Sequence, residues 1–266
     1  MDPHILGARV AVGLLAGTLV GLTGVGGGLV LLPLLISVLG VSPIVAVGSD
    51  AVINCITKMG AGSLYWRRGS VDWRLALNLA YGSIPGAVLG VLLLAQIRAV
   101  YGQGVNEVLK VTIAGLLIVI PIAYVFAGDR STKHPHLANI RIHNYSFGII
   151  LIGFLAGVLV GVTSIGSGSI ILMLLLVFYG YTPAILVGTD IVHAVVLAGI
   201  AGFLQFRMNN VDIMLVAGVL LGSIPGGLLG AHLAKYLPHG RFKLLLCCVL
   251  VVVGGRMLWA SILHDK

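Results

Sequence analysis

The sequence predicts an all-α polytopic membrane protein made of two homologous repeats. Each repeat holds a Gly-broken pair of short helices and about three spanning helices. Three observations predict this. The chain is 59% hydrophobic and 9% charged, with a mean hydropathy of +1.11, whereas a soluble domain is about 25% charged. Its apolar residues form runs long enough to span a bilayer as helices, not the short alternating segments of an outer-membrane barrel. The second half also repeats the first at a constant offset of 140 residues, without a gap.

The offset begins at a glycine-rich stretch. Thr23-Gly24-Val25-Gly26-Gly27-Gly28 recurs as Thr163-Ser164-Ile165-Gly166-Ser167-Gly168. It then pairs Pro43 with Pro183, Gly48 with Gly188, Asp50 with Asp190 and Arg67 with Arg207. Val71-Asp72 pairs with Val211-Asp212, and Gly82-Ser83-Ile84-Pro85-Gly86 with Gly222-Ser223-Ile224-Pro225-Gly226. The chain therefore divides into repeat 1 (1–126), a polar linker (127–145) and repeat 2 (146–266).

In repeat 1 the apolar segments are 8–22, 28–40, 44–64, 74–96 and 107–126; in repeat 2 they are 147–162, 168–180, 184–204, 213–234 and 242–263. Segment 28–40 reaches only about 20 Å as a helix, short of the ~30 Å hydrocarbon core. Shortened, glycine-interrupted segments at matching places in two halves point to a midplane binding site in transporters. Glycines spaced by four (Gly13, Gly17, Gly21; Gly82, Gly86, Gly90; and their partners at +140) read as ridges where helix backbones approach closely. Pro85 and Pro225 are expected to kink their helices.

Orientation follows from the basic residues. With five crossings per half the repeats are inverted, and Lys and Arg divide nine to six between the two sides; a single broken span in place of the first two segments makes the repeats parallel, with ten to five. The richer loop is 65–74 in repeat 1 and 235–243 in repeat 2. Equivalent loops trade their bias, which favours inversion with both termini outside.

The net charge of +8 comes from short loops between apolar runs, as expected beside anionic lipid, and carries no nucleic-acid signature. Cys55, Cys247 and Cys248 lie inside apolar runs and form neither a disulfide framework nor a metal motif. The first segment lacks a cleavage site and reads as retained. No cofactor is expected. The expected surroundings are a bilayer, the bacterial inner membrane, and the expected partner is a small anion.

Polar residues inside spans are expensive and mark function. Asp50, Asn54 and Lys58 share one helix face at i, i+4, i+8, and the matching segment carries Asp190 and His193. Lys58 is a counter-charge for an anion or the partner of an aspartate; a permanent Asp–Lys pair is the structural alternative. Asp50, Asp190 and His193 are candidate proton carriers, although both aspartates also suit helix N-caps. Asp72 and Asp212 read as caps. Where a helix breaks in the membrane, its freed N–H groups and positive dipole end suit an oxyanion. The candidate substrate residues are accordingly Thr23, Gly24, Gly26, Gly27, Gly28, Asn54, Lys58, Thr163, Ser164, Gly166, Ser167, Gly168 and Ser169.

With these motifs in hand, the chain resembles the sulfite exporter TauE/SafE family of membrane permeases. The residues concerned are Gly17-x3-Gly21-x-Thr-Gly-Val-Gly-Gly-Gly28, Val47-Gly48-Ser49-Asp50, Thr57-Lys58, Tyr65-Trp66-Arg67-Arg68-Gly69-x-Val71-Asp72 and Gly82-Ser-Ile-Pro-Gly86. In the second half they are Gly161-Val-Thr-Ser-Ile-Gly-Ser-Gly168 and Leu186-Val-Gly-Thr-Asp190-Ile-Val-His193-Ala. The resemblance spans nearly the whole chain. It implies a permease for sulfur-containing anions such as sulfite or organosulfonates.

Two other classes compete. The aspartates and His193 are ligands suited to a divalent cation, so a metal permease is the alternative. A serine hydrolase would need Ser164, Ser167 or Ser169 with His193. The Gly166-Ser167-Gly168-Ser169 run lacks the G-x-S-x-G elbow spacing, and repeat 1 has Gly27 and Ile53 where Ser167 and His193 stand. No G-x4-GK[ST] motif is present, so the sequence offers no site for direct ATP drive.

Overall fold

The computed structural model describes residues 3–23, 27–67, 69, 71–131, 146–166, 168, 171, 183–233 and 239–264. Among them are nine α-helices and no strand: α1 (Pro3–Thr23), α2 (Gly27–Ser37), α3 (Pro43–Arg67), α4 (Trp73–Tyr101), α5 (Val105–Ser131), α6 (Ser146–Thr163), α7 (Pro183–Arg207), α8 (Ile213–Leu233) and α9 (His239–His264). Among the described residues, five stretches are long and apolar enough to cross a membrane: His4–Leu22, Pro43–Arg67, Trp73–Ala123, Ile185–Arg207 and Ile213–Gly230. The third runs through α4, a short 3-10 turn and α5. The protein is a polytopic helical membrane protein.

The helix ends follow local chemistry. Pro43 and Pro183 open α3 and α7, where a missing N–H costs nothing and φ is already helical. Asp72 caps α4 by accepting from the Leu75 N–H at 3.0 Å, and Asp212 treats the Leu215 N–H of α8 likewise at 3.0 Å. Gly102, at φ 54°, stops α4 and donates its N–H to the Arg98 carbonyl. Pro85 and Pro225 lie within α4 and α8, which continue past them.

Two differences from the sequence reading stand out. The first broken pair joins a short helix to a long one, because α1 has 21 residues and α2 has 11. A helix of α1's length crosses the hydrocarbon unaided. Helix α5 also runs to Ser131, inside the expected linker. Most of that linker, and most of the segment expected at 168–180, lie outside the described residues.

The helices pack through glycine. A Cβ at Gly82 would collide with the Ile150 carbonyl, and one at Gly86 with that of Phe154; α4 and α6 therefore run parallel in backbone contact. Gly222 meets Val10 and Gly226 meets Leu14 in the same manner, joining α8 to α1. Each residue of the second pair of contacts lies 140 positions from its counterpart in the first. Helices α3 and α7 run antiparallel, with Cys55 Sγ 3.7 Å from the Val195 carbonyl and Gly202 against Ala51 and Val52. Helices α5 and α9 are also antiparallel: Gly254 packs on Ala114 and Leu117, and Ser261 donates to Glu107.

Large apolar side chains remain outside this packing, among them Leu77, Tyr81, Val119, Leu155, Phe203 and Leu228. A surface this apolar is the one a bilayer covers. Trp66 and Trp73 stack edge to face at 6.1 Å where α3 passes to α4, beside Arg67 and Arg74, which suits the headgroup level.

Candidate functional site

The polar residues singled out from the sequence gather around α3 and α7. Asp50 is the eighth residue of α3, well past the first turn. It is therefore not an N-cap, and Asp190 holds the corresponding place in α7. Both are buried, as are Asn54 and His193.

Asp50 Oδ2 accepts two hydrogen bonds, from Asn54 Nδ2 at 2.8 Å and from Ser164 Oγ at 2.7 Å. Ser164 lies immediately beyond α6 with φ 58°, and Gly166 follows at φ 110°. The second helix break thus delivers its serine hydroxyl to the aspartate of the other half. The first break arrives at the same place. A Cβ at Gly27 would collide with Asn54 Oδ1, and one at Gly28 would come within 3.1 Å of Asp50 Oδ2 and 2.8 Å of the Ser164 carbonyl. A side chain at Gly28 would meet the Ser164 backbone and one at Gly27 would displace the Asn54 amide, because the first turn of α2 lies directly against the Asp50–Asn54–Ser164 cluster. The positive end of α2 is consequently met by the protein's own carboxylate.

Lys58, two turns beyond Asp50 on α3, lies within electrostatic reach of Asp190, Asp50 and Cys55. Its charge also reaches His193. His193 Nε2 and Ser83 Oγ share a 2.7 Å hydrogen bond between α7 and α4. Among the described residues, Asp50 Oδ1, Asp190 Oδ1 and His193 Nδ1 are buried and find no hydrogen-bond partner. The arrangement is a polar column, buried at Asp50, Asn54, Asp190 and His193, that carries two aspartates and one lysine.

Of the other predicted residues, Thr23 closes α1, and Thr163 closes α6 with its hydroxyl on the Leu159 carbonyl at 2.7 Å. Gly168 is buried. Gly24, Gly26, Ser167 and Ser169 lie outside the described residues. Sequence reasoning misses Ser83, although its Gly-Ser-Ile-Pro-Gly motif recurs, because the glycines of the motif read as packing and its proline as a kink. Among the described residues, no cluster of three His, Cys, Asp or Glu side chains could hold a metal ion. A cleft of about 310 Å³ between α3, α7 and α8 is lined by apolar residues such as Val52, Ile56, Phe203 and Val216, and offers an oxyanion nothing.

Broken helices, converging polar groups and a lipid-facing exterior define a membrane transporter. The chain belongs to the sulfite exporter TauE/SafE family, whose profile matches residues 9–257. It is similar to the probable membrane transporter protein YjnA of Bacillus subtilis (strain 168), with 38% identity over 251 residues, covering 94% of this chain and 98% of that protein. It is also similar to the probable membrane transporter protein YunE of the same organism, with 24% identity over 273 residues, covering 95% and 97%. No solved structure matches the chain.

Proposed function

We propose that the protein is a secondary transporter moving a small sulfur-containing anion, such as sulfite or an organosulfonate, across the bacterial inner membrane. The observation that carries this reading is the convergence of both helix breaks on Asp50, Asn54 and Ser164, with Lys58 two turns away. The first turn of α2 offers backbone N–H groups, Ser164 and Asn54 offer polar side chains, and Lys58 offers the charge. Asp50 occupies that ground as a tethered anion. An oxyanion and a proton therefore act together: protonating Asp50 removes the competing charge, and the anion takes its place against α2. Asp190 and His193 are the second proton station, near Lys58. Two carboxylates against one ammonium make this proton requirement a matter of charge count.

The same reading includes two inverted repeats. It is supported by the 140-residue offset, by the exchanged glycine contacts of α1–α8 and α4–α6, and by the antiparallel course of the equivalent helices α3 and α7. Alternating access then rocks one repeat against the other about the glycine breaks.

A divalent cation permease is the second reading, favoured by the excess of carboxylate over ammonium in the column. Uptake into proteoliposomes separates the two. Under an inward proton gradient, labelled sulfite or a sulfonate accumulates on the first reading, and Asp50→Asn transports without responding to the gradient. Accumulation of Ni²⁺ or Co²⁺, with no anion uptake, would establish the second.

A further inference from the structure

A second polar network lies at one end of the column. Arg98 Nη1 donates to Asn210 Oδ1 at 2.6 Å, Asn210 Nδ2 to Gln205 Oε1 at 2.7 Å, and Gln205 Nε2 to the Gly161 carbonyl at 3.2 Å. Gln205 and Asn210 are buried. Arg98 is at the exposed rim in the last turn of α4. Each link has a local cause. Gly161 is in the last turn of α6, and an uninterrupted helix would give its carbonyl the N–H of Ile165. That N–H instead turns to Thr163 Oγ1, 3.2 Å away, because the chain breaks at Ser164. The break thus frees the carbonyl that Gln205 takes up.

The same network holds the α7–α8 loop, residues 208–212, over α3. Asn209 turns the loop at φ 56°. The Asn210 carbonyl lies on Gly48, where a Cβ would collide with it. The Asp212 N–H donates to Ser49 Oγ at 3.1 Å, one residue before Asp50, and Arg9 of α1 holds the Asp212 carboxylate at 3.4 Å. The loop is therefore seated on the residues directly below Asp50.

Among the described residues, the other end of the column shares one of these bonds. The Asp72 N–H donates to Thr189 Oγ1 at 2.9 Å, next to Asp190, as the Asp212 N–H does to Ser49. However, the residues 140 positions from Arg98, Gln205 and Asn210 are Pro238, Tyr65 and Ser70, which cannot rebuild the guanidinium–amide–amide chain.

We propose that residues 208–212 form a gate over the Asp50 end of the transport site, latched by Arg98, Asn210 and Gln205 onto the carbonyl freed by the α6 break. This rests on the transporter reading. The sequence supplies the side chains of this latch at one end of the column and not at the counterpart positions of the other, so the two faces open with unequal ease. On the inverted-repeat reading, with both termini outside, the latched face is the external one. Because Gln205 holds the same break that presents Ser164 to Asp50, opening the gate and releasing Ser164 are one movement.

The test uses Ser49→Cys as a reporter beneath the loop, with Cys55, Cys247 and Cys248 replaced by alanine. A membrane-impermeant thiol reagent is applied to intact cells and, separately, to inverted vesicles. Gln205→Ala is expected to speed labelling from one face by roughly tenfold, the equivalent of about one net hydrogen bond, and to leave the other face unchanged. Arg98→Gln, at the rim where folding is not at stake, gives the same one-sided change to a smaller extent. A rise from intact cells supports the gate and the stated orientation; a rise from inverted vesicles alone supports the gate and overturns the orientation. Equal acceleration from both faces, or none from either in both variants, overturns the gate whether or not the protein transports an anion.

Discussion

Ser164 and Asp50 are 114 residues apart in the chain and joined by a 2.7 Å hydrogen bond in the interior. The serine comes from the break after α6, the aspartate from the third turn of α3. This bond connects the irregular backbone of one half to the charged helix of the other, and Asn54 completes it from the same side as α2. Replacing Asp50 by alanine leaves both donors without an acceptor in a buried place, at about 1–3 kcal/mol each. Asp50→Ala should therefore be markedly less stable in detergent melts than Asp50→Asn, which keeps one acceptor oxygen. Equal melting of the two variants would mean that the hydrogen bonds do not hold the break.

The His193–Ser83 pair permits a cleaner energetic test. His193→Leu strands the buried Ser83 hydroxyl and should cost about 1–3 kcal/mol. Adding Ser83→Ala removes the stranded group and should recover much of that cost. A double-mutant cycle measures the coupling, and additive effects would contradict a direct bond.

Glycine packing predicts a contrast between two similar substitutions. Gly82→Ala forces a methyl group into the Ile150 backbone and must separate α4 from α6. Overpacking of this kind costs about 1–3 kcal/mol or more. Gly115→Ala on α5 meets nothing within 4 Å and should be neutral or stabilising by up to ~1 kcal/mol, through backbone entropy alone. Thermal melts of the two variants, purified side by side, check the sign of each.

Inversion of the repeats predicts that the two termini share one side and that the loop between α3 and α4 lies on the other. Reporter fusions at residue 266 and accessibility tags near residues 2 and 69 should give external, external and cytoplasmic signals. Termini on opposite sides would refute inversion.

Much of the helical frame was legible because bilayer spans leave a blunt signal. The expected segments 44–64 and 213–234 became Pro43–Arg67 and Ile213–Leu233. Helix α4 was cut short at 96 because Gln96 and Arg98 look like a loop, whereas the true stop is Gly102. Asp50 and Lys58 were legible as interior charges on one face. Whether Asp50 capped a helix or sat inside it depended on where α3 begins, and Pro43 decides that. The Arg98–Asn210–Gln205 latch left no local trace. Its members sit at the ends of apolar runs, where polar residues are ordinary, and the longest of its links joins residues 112 apart.

The central claim is that the two helix breaks and Lys58 form one anion site. Ligand-dependent thermal stabilisation of the purified protein tests it most directly, because a ligand that binds the native state raises its apparent stability by mass action. Sulfite, thiosulfate, sulfoacetate, taurine, sulfate, phosphate, Ni²⁺ and Co²⁺ would be compared on the wild type and on Lys58→Ala. The account predicts that a sulfur anion stabilises the wild type and fails to stabilise Lys58→Ala. Stabilisation by divalent cations alone, undiminished in Lys58→Ala, would contradict it and give the site to Asp50, Asp190 and His193.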